Sequence, residues 1–372
     1  MSTFTIDRKD YDALLVGLAI YGTGGGGDPE WGRIVLENDF AKRRICKLIN
    51  PEDVPDDAFI CSGGIMGSVK ALEKFSYKDL VDSWEDDFVL LKAFRMMEQI
   101  KGRKLDYIIP FEVGGINTPI IMSLAARMGI PMINGDALGR SAPETNMTSF
   151  IGHGVSLYPM PLVDHNGNQV VVMDSDEPTY ADEVGRFVVT KGGGLGGNSH
   201  YPMTGAQLKK SCIPHTITSA VEIGKVVLDA QAEKPIEAFT KHVNGELMFS
   251  GIVSDVTGED KGGFYLTNVL IDGADDFSGS KAKIVVKNES MVLWVDNKIK
   301  VIFPDNAYML YTETGHGIMS VDLAPGLNIS VVGAACSETL RACMQTEIGK
   351  KSLGGARYGH PEITFKTIEE LN

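Results

Sequence analysis

The sequence predicts an α/β N-terminal domain, three-layered around a mostly parallel sheet, followed by a mainly-β C-terminal domain, a barrel or a sandwich. Two observations carry this reading. Over the first 150 residues, short apolar runs alternate with helical patterns, as in sheets buried on both faces by crossover helices. From residue 240 onward, short β-type runs dominate, separated by Asp-Gly, Asp-Asn and Pro-Gly turns. A chain of 372 residues is long enough for two such domains. The change of character near residue 155 suggests a division into residues 1–165 and 166–372.

Taken in order, helical patterns cover about 7–21, 29–45, 78–101 and 117–128. The runs Ala58–Cys61, Tyr107–Phe111 and Pro131–Asn134 between them read as strands. Each is followed by a polar, glycine-containing segment: Ser62-Gly63-Gly64, then Glu112 to Asn117, then Gly135 to Arg140. Open α/β sheets bind ligands at the carboxyl ends of their strands, so these three segments are candidates for a site. An Asn166-Gly167 turn precedes a further apolar run, Asn168–Met173. A second glycine run, Gly192–Gly197, leads into a helical pattern at about 204–231 that is free to pack back on the first domain. Seven β-type runs follow: 247–256, 263–271, 283–286, 291–295, 298–303, 307–311 and 328–332.

Composition narrows the function. A net charge of −14 argues against nucleic acid or an anionic membrane as partner. Five scattered cysteines without a Cys-x-x-Cys pair suit reduced thiols. Asp7, Arg8, Lys9 and Asp10 precede the first apolar stretch, unlike a cleavable signal, and no run approaches the 18 apolar residues of a membrane span. The expectation is a cytoplasmic protein with a small-molecule substrate, with a homo-oligomer left open.

The strongest local signal is Gly22-Thr23-Gly24-Gly25-Gly26-Gly27-Asp28-Pro29-Glu30. Asp28 can cap a helix, Pro29 fits its first turn, and Glu30 favours the positive end of its dipole. Gly25, Gly26 and Gly27 can offer backbone N–H groups to a ligand, with Asp28 beside them. A plain helix–helix connection would use the same residues. No Gly-Lys-Ser/Thr follows, and the preceding segment reads as helix, so neither a Walker loop nor a dinucleotide fingerprint is spelled. No nucleotide cofactor is expected.

Glu112 follows a strand and precedes Gly114-Gly115, which leave room for a substrate; it can act as a base, a metal ligand or a hydrogen-bond acceptor. Asn117 can contact the ligand or cap the next helix. Asp136 occupies the equivalent place after the following strand and reads as a base or a metal ligand. Arg140 can hold a carboxylate or carbonyl through its planar fork, or pair locally with Glu144 four residues on. The histidines form no metal signature; His153 and His200 can enter the pocket, but a satisfied surface or core histidine is the stronger reading of both. Cys61 is the best-placed thiol, yet a nucleophilic cysteine needs a neighbouring base or positive field.

The segments Gly22–Pro29, Gly64–Gly67 with Glu73-Lys74, Glu112–Asn117, Asn134–Glu144 and Met147-Thr148, in this order, resemble the S-methyl-thiohydantoin desulfurase-like family. Members of that family are often encoded beside hydantoinase-type enzymes. The resemblance implies an α/β domain followed by a largely β domain. It also implies hydrolysis of an S-methyl-thiohydantoin to a hydantoin and methanethiol, with zinc as the implied metal. The chain departs from the commoner pattern at Asn134, where aspartate is expected, and at Ser141-Ala142-Pro143, where a phenylalanine is expected in the middle. A smaller residue there alters the pocket.

The combined expectation is a hydrolase of a small cyclic amide-like substrate. Asp136, Glu112 and Arg140 would be catalytic. Gly25, Gly26, Gly27, Asp28, Gly114, Gly115, Asn117 and Glu144 would contact the substrate. The alternative is a non-catalytic small-molecule binding or accessory subunit of a hydantoinase-type pathway.

Overall fold

The computed structural model describes residues 2–67, 76–230, 234–261 and 264–372; Glu73 and Lys74 lie outside them. The first sheet has seven strands: β1 (Leu48–Ile49), β2 (Phe59–Gly67), β3 (Tyr107–Pro110), β4 (Met132–Ile133), β6 (Met160–Asp164), β7 (Gln169–Val172) and β8 (Leu195–Thr204), in the order β1-β4-β3-β2-β8-β6-β7. A separate two-stranded ribbon pairs β5 (Gly135–Asp136) with β9 (Ile213–Pro214). The β1-β4-β3-β2 half is parallel, and β8, β6 and β7 extend it antiparallel.

Continuous apolar runs make these strands because both faces are covered. Consecutive residues go to opposite cores: Leu48, Cys61, Ile108 and Met132 join one cluster, and Ile49, Ile60, Ile109 and Ile133 the other. The first cluster includes the helices α1 (Tyr11–Tyr21) and α2 (Pro29–Ala41). The second continues into Val285, Met291, Val292, Ile302 and Phe303, so the two sheets share a core.

The first sheet runs past residue 165, because β8 reaches Thr204 and lies between β2 and β6. Beyond it, helix Thr216–Ala230 packs on α1 so closely that a Cβ on Gly17 would lie 1.8 Å from the carbonyl oxygen of Ala220.

Several local expectations change. Ser62-Gly63-Gly64 lies within β2, because β8 pairs along it as far as Gly67. The second glycine run opens β8 rather than a helix. The pattern at 204–231 divides into helix Gly205–Ser211, β9 and helix Thr216–Ala230, since the chain extends to pair with β5. The pattern at 78–101 divides into helices Tyr77–Ser83 and Val89–Lys101, with Trp84 and Phe88 stacked at the corner, ring centroids 4.8 Å apart.

The second sheet contains β10 (Glu246–Lys261), β11 (Phe264–Gly273), β12 (Lys281–Lys287), β13 (Glu289–Val295), β14 (Lys298–Ile302), β15 (Asn306–Tyr311) and β16 (Asn328–Ala334). All are antiparallel, in the order β14-β13-β12-β11-β10-β16-β15, and they curl into a half-barrel. Each of the seven runs read from the sequence corresponds to one of them. The β12–β13 hairpin reverses at Asn288, which adopts φ 57°, and its far side bonds to the glycine loop through Ser290 N–H and Thr23 O at 2.8 Å. Ser320 N–H donates to Gly24 O at 2.7 Å. The half-barrel thus grips the loop from two points.

Candidate functional site

The glycine loop is shaped by what it must pass. Gly26 has φ 72°, a conformation that favours glycine, and its N–H donates to the Glu289 carboxylate. At Gly25, a Cβ would lie 1.7 Å from Glu289 Oε1, so any side chain there must displace the carboxylate. The carbonyl of Gly26 accepts from the N–H groups of Ile116 at 2.9 Å and Asn117 at 3.3 Å, and so caps helix Asn117–Met128. Asn117 is therefore not the N-cap; it is the first helical residue, and its Nδ2 donates to Glu112 Oε1. Asp28 does cap α2, accepting from Glu30 N–H at 2.8 Å.

Between the loop, the carboxyl end of β3 and the β12–β13 hairpin lies a cavity of about 550 Å³. Gly25, Gly26, Gly27, Asp28, Glu112, Asn117 and Glu289 all line it. Glu112 Oε2 accepts from Ala142 N–H at 2.7 Å, so both of its oxygens are held. Glu289 has one oxygen under the loop, while its Oε2 is buried without a partner among the described residues. Burial is the main cause that lifts both carboxyls above the ordinary range, and the Glu289 charge lifts Glu112 further. Glu289 is raised to about 8, and the Arg140 guanidinium opposes that rise. Two negative charges on buried neighbouring carboxyls repel, so the pair keeps at least one proton at neutral pH.

Three other buried polar groups of the lining also lack partners among the described residues: Thr145 Oγ1, Asn198 Oδ1 and Trp31 Nε1. Unpaired buried polar atoms cost stability unless water or a ligand meets them, which is consistent with a binding site. Opposite the pair, Arg186 Nε donates to Asp182 Oδ2 at 2.7 Å, and its Nη2 to Pro143 O at 2.5 Å.

The other residues singled out from the sequence are elsewhere. Asp136 does not line the cavity. Its carboxylate turns back on its own chain, accepting from Leu138 N–H at 2.9 Å and from Gly139 N–H. Burial raises it to about 7. Arg140 is fully buried behind Glu289 and donates to Thr23 Oγ1 at 2.9 Å, Ser290 O at 2.6 Å and Asp305 O at 3.1 Å, which ties the glycine loop to the half-barrel. Glu144 does not pair with Arg140; its carboxylate binds Lys287 and Arg357 in a buried ionic group between the sheets. Gly114 and Gly115 lie behind the cavity, where a Cβ would strike Gly26 Cα at 2.5 Å or Gly27 O at 2.4 Å. Their role is to let two backbone segments touch.

Cys61 is buried in β2, its thiol donating to Ser62 O and His200 O, and burial pushes it far up, which does not suit a nucleophile. His153 meets Thr339 O at 2.9 Å, away from the lining. His200 is buried beside Phe111, ring centroids 5.6 Å apart, and burial lowers it to about 3, so it stays neutral. His316, from the half-barrel, does line the cavity. Among the described residues no three His, Cys, Asp or Glu side chains cluster as metal ligands. Zinc favours nitrogen and sulfur donors, so the carboxylate pair by itself does not make up a zinc centre.

Sequence reasoning missed Glu289, Thr145, Asn198 and Asp182. Glu289 had a signal: Lys287-Asn288-Glu289 interrupts two apolar runs, and the two charged residues of a strand-to-strand reversal are buried here. Asn198 and Thr145 had none, because long-range pairing of β8 with β2 and the chain's return from β5 bring them to the cavity.

A solved structure, an X-ray crystal structure of a structural-genomics target from Chromobacterium violaceum, is similar to the chain at 20% identity. The match has a TM-score of 0.78 and covers 98% of this chain and all of that one, which supports the fold alone. No match is found among curated proteins. The family descriptions "S-Me-THD-like, N-terminal domain" and "S-Me-THD-like, C-terminal domain" match residues 9–174 and 175–368. The two matches together span nearly the whole chain, which belongs to the S-Me-THD-like family.

Proposed function

We propose that the protein hydrolyses a small cyclic amide-like substrate, an S-methyl-thiohydantoin or a related ring, using Glu112 and Glu289 as its acid–base pair. The observation that carries this reading is the pair of buried carboxyls with raised proton affinity in one cavity. Shifted carboxyls in a cleft suit general acid–base chemistry near neutral pH.

One carboxylate takes a proton from water, and the water oxygen attacks the ring carbon that bears sulfur. The carbon–sulfur bond then breaks, and its electrons leave with the sulfur. The neutral partner protonates the departing thiolate. Water is consumed, methanethiol leaves, the ring keeps the new oxygen as a carbonyl with the second water proton on the adjacent ring nitrogen, and the pair ends with the same number of protons. Asn117 positions Glu112, and Thr145 and Asn198 can hold the ring's polar edge. Arg140 acts through Glu289, as a positioning residue. This assigns to Glu289 the role expected of Asp136.

The test is release of methanethiol from an S-methyl-thiohydantoin by wild type, Glu112→Gln and Glu289→Gln. Loss of an acid–base group lowers turnover by about 10²- to 10⁴-fold. Wild-type turnover in either variant would remove the pair from the mechanism. Tight binding of the ring with no product from wild type would favour the accessory-subunit reading instead.

A further inference from the structure

The two carboxyls of the proposed pair belong to different sheets: Glu112 follows β3, and Glu289 begins β13. No single strand fixes the distance between them. Gly26 holds Glu289 to the glycine loop, and Arg140 holds the next residue, Ser290. A second tie reaches the segment that supports Glu112. Ala142 N–H donates to Glu112 Oε2 at 2.7 Å, and two residues on, Glu144 Oε1 accepts from Lys287 Nζ. Lys287 ends β12 and pairs with Glu289 across the hairpin turn.

This tie is buried and fixed from several sides. Glu144 and Lys287 are 1% and 5% exposed. Lys287 Nζ also donates to Arg357 O at 2.8 Å and lies over the Phe264 ring, 3.9 Å from its centroid. Arg186 Cζ lies over the same ring at 3.6 Å, and its Nη2 donates to Pro143 O. Ala142, Pro143 and Glu144 are therefore each bonded to a different part of the site. A buried ion pair is a weak stabiliser, because an apolar pair of similar volume does as well or better. Its directional bonds instead fix where two segments meet.

We propose that Glu144 and Lys287 are positioning residues: their ion pair sets Glu289 at its working distance from Glu112 across the boundary between the two sheets. This rests on the hydrolase reading for the reaction, but not for the placement of the two carboxyls. Arg357 provides the contrast. It binds the same Glu144 carboxylate, yet it comes from the short helix Gly355–Tyr358, which carries neither site carboxyl. Loss of Lys287 frees the hairpin from the segment that supports Glu112, while loss of Arg357 leaves that link in place.

The test compares Lys287→Met with Arg357→Met on the full chain. Each removes one cation from Glu144 and leaves the other. In Lys287→Met, kcat for methanethiol release should fall about tenfold or more, with KM changed less than about threefold, because misplaced reacting groups cost rate more than binding. Arg357→Met should stay within about threefold of wild type in both constants. Equal losses in the two variants, or no loss in either, would overturn the inference and leave the hydrolase reading standing. Infrared titration of the Glu112 carboxyl, with and without Glu289→Gln, reads how strongly the two groups feel each other without any turnover. That Glu289-dependent shift should shrink in Lys287→Met and persist in Arg357→Met. If wild type releases no methanethiol, the hydrolase reading falls and this titration alone decides: a shift that responds equally to both variants, or to neither, overturns the positioning role. Should Lys287→Met fail to fold, the double variant Glu144→Met/Lys287→Met, which leaves no buried carboxylate at this point, decides on the same readings.

Discussion

Glu112 and Asp136 follow neighbouring strands of the same sheet, both are buried, and burial raises the proton affinity of both. They differ in where the carboxylate points. After β3 the chain runs through Gly114-Gly115 into a helix capped by Gly26, which leaves Glu112 facing the cavity and Glu289 across it. After β4 the chain pairs as β5 with β9 and turns sharply, and Asp136 closes that turn by accepting from Leu138 and Gly139. A strand-end carboxylate is therefore a site residue only when its local backbone does not already consume it. Neither a raised pKa nor hydrogen bonding as such separates the two cases, since both carboxylates are held at both oxygens; what separates them is that the partners of Asp136 are its own next residues, while Glu112 lines the cavity.

The largest effect that can break this comparison is on turnover. Glu112→Gln should lose about 10²- to 10⁴-fold in methanethiol release, while Asp136→Asn should stay within about threefold, a structural change that spares chemistry. Similar losses in both, at unchanged stability, would mean that the two strand ends are equivalent after all.

Next is the glycine loop. Gly25→Ala puts a methyl group onto Glu289 Oε1 and must displace one of them. Overpacking of this kind costs about 1–3 kcal/mol of stability, and turnover should fall about tenfold or more as Glu289 moves from its place. Chemical denaturation and the thiol assay on the same sample separate the two effects. Unchanged values for both would place Glu289 away from the loop.

Asp136→Asn should lower stability by about 1–3 kcal/mol, because one backbone N–H of the turn loses its acceptor. Denaturant midpoints at fixed pH read this directly.

The subtlest effect is in the pH dependence of stability. The folded-state pKa of Glu289, about 8, lies above the 4.5 of an ordinary glutamate. The folded state then binds more protons than the unfolded one between those values, so this group's contribution is fully present below pH 4.5 and is lost as pH rises toward 8. The stability of Glu289→Gln relative to wild type should therefore improve steadily across that window. Denaturation at pH 5 and pH 8 provides the check, and a constant difference would mean that Glu289 titrates normally.

Much of this architecture was readable in the residues. The parallel half-sheet and the seven strands of the half-barrel follow from uninterrupted apolar runs and the turns between them. Glu112, Asn117 and the loop Gly25–Asp28 were found because glycine beside a strand or helix end marks backbone that must come close to something. What they approach was not readable. Gly26 gives its N–H to Glu289, a partner more than 250 residues away in sequence, and only the packing of the half-barrel on the first sheet supplies it. Arg140 and Glu144 were misread for a related reason. Spacing of four suggested a local pair, but the segment is not a helix, and each side chain reaches the second sheet instead. Residues that join two sheets carry the same charges as residues that meet a substrate, and sequence alone does not distinguish them.

The most direct measurement is the pH–rate profile of methanethiol release for wild type and Glu289→Gln. Wild type should show an alkaline limb at about 8, where the pair gives up its last proton and the acid is lost, and Glu289→Gln a rate at least about 10²-fold lower, without that limb. A Glu289→Gln enzyme with the wild-type rate and an unchanged profile would contradict it.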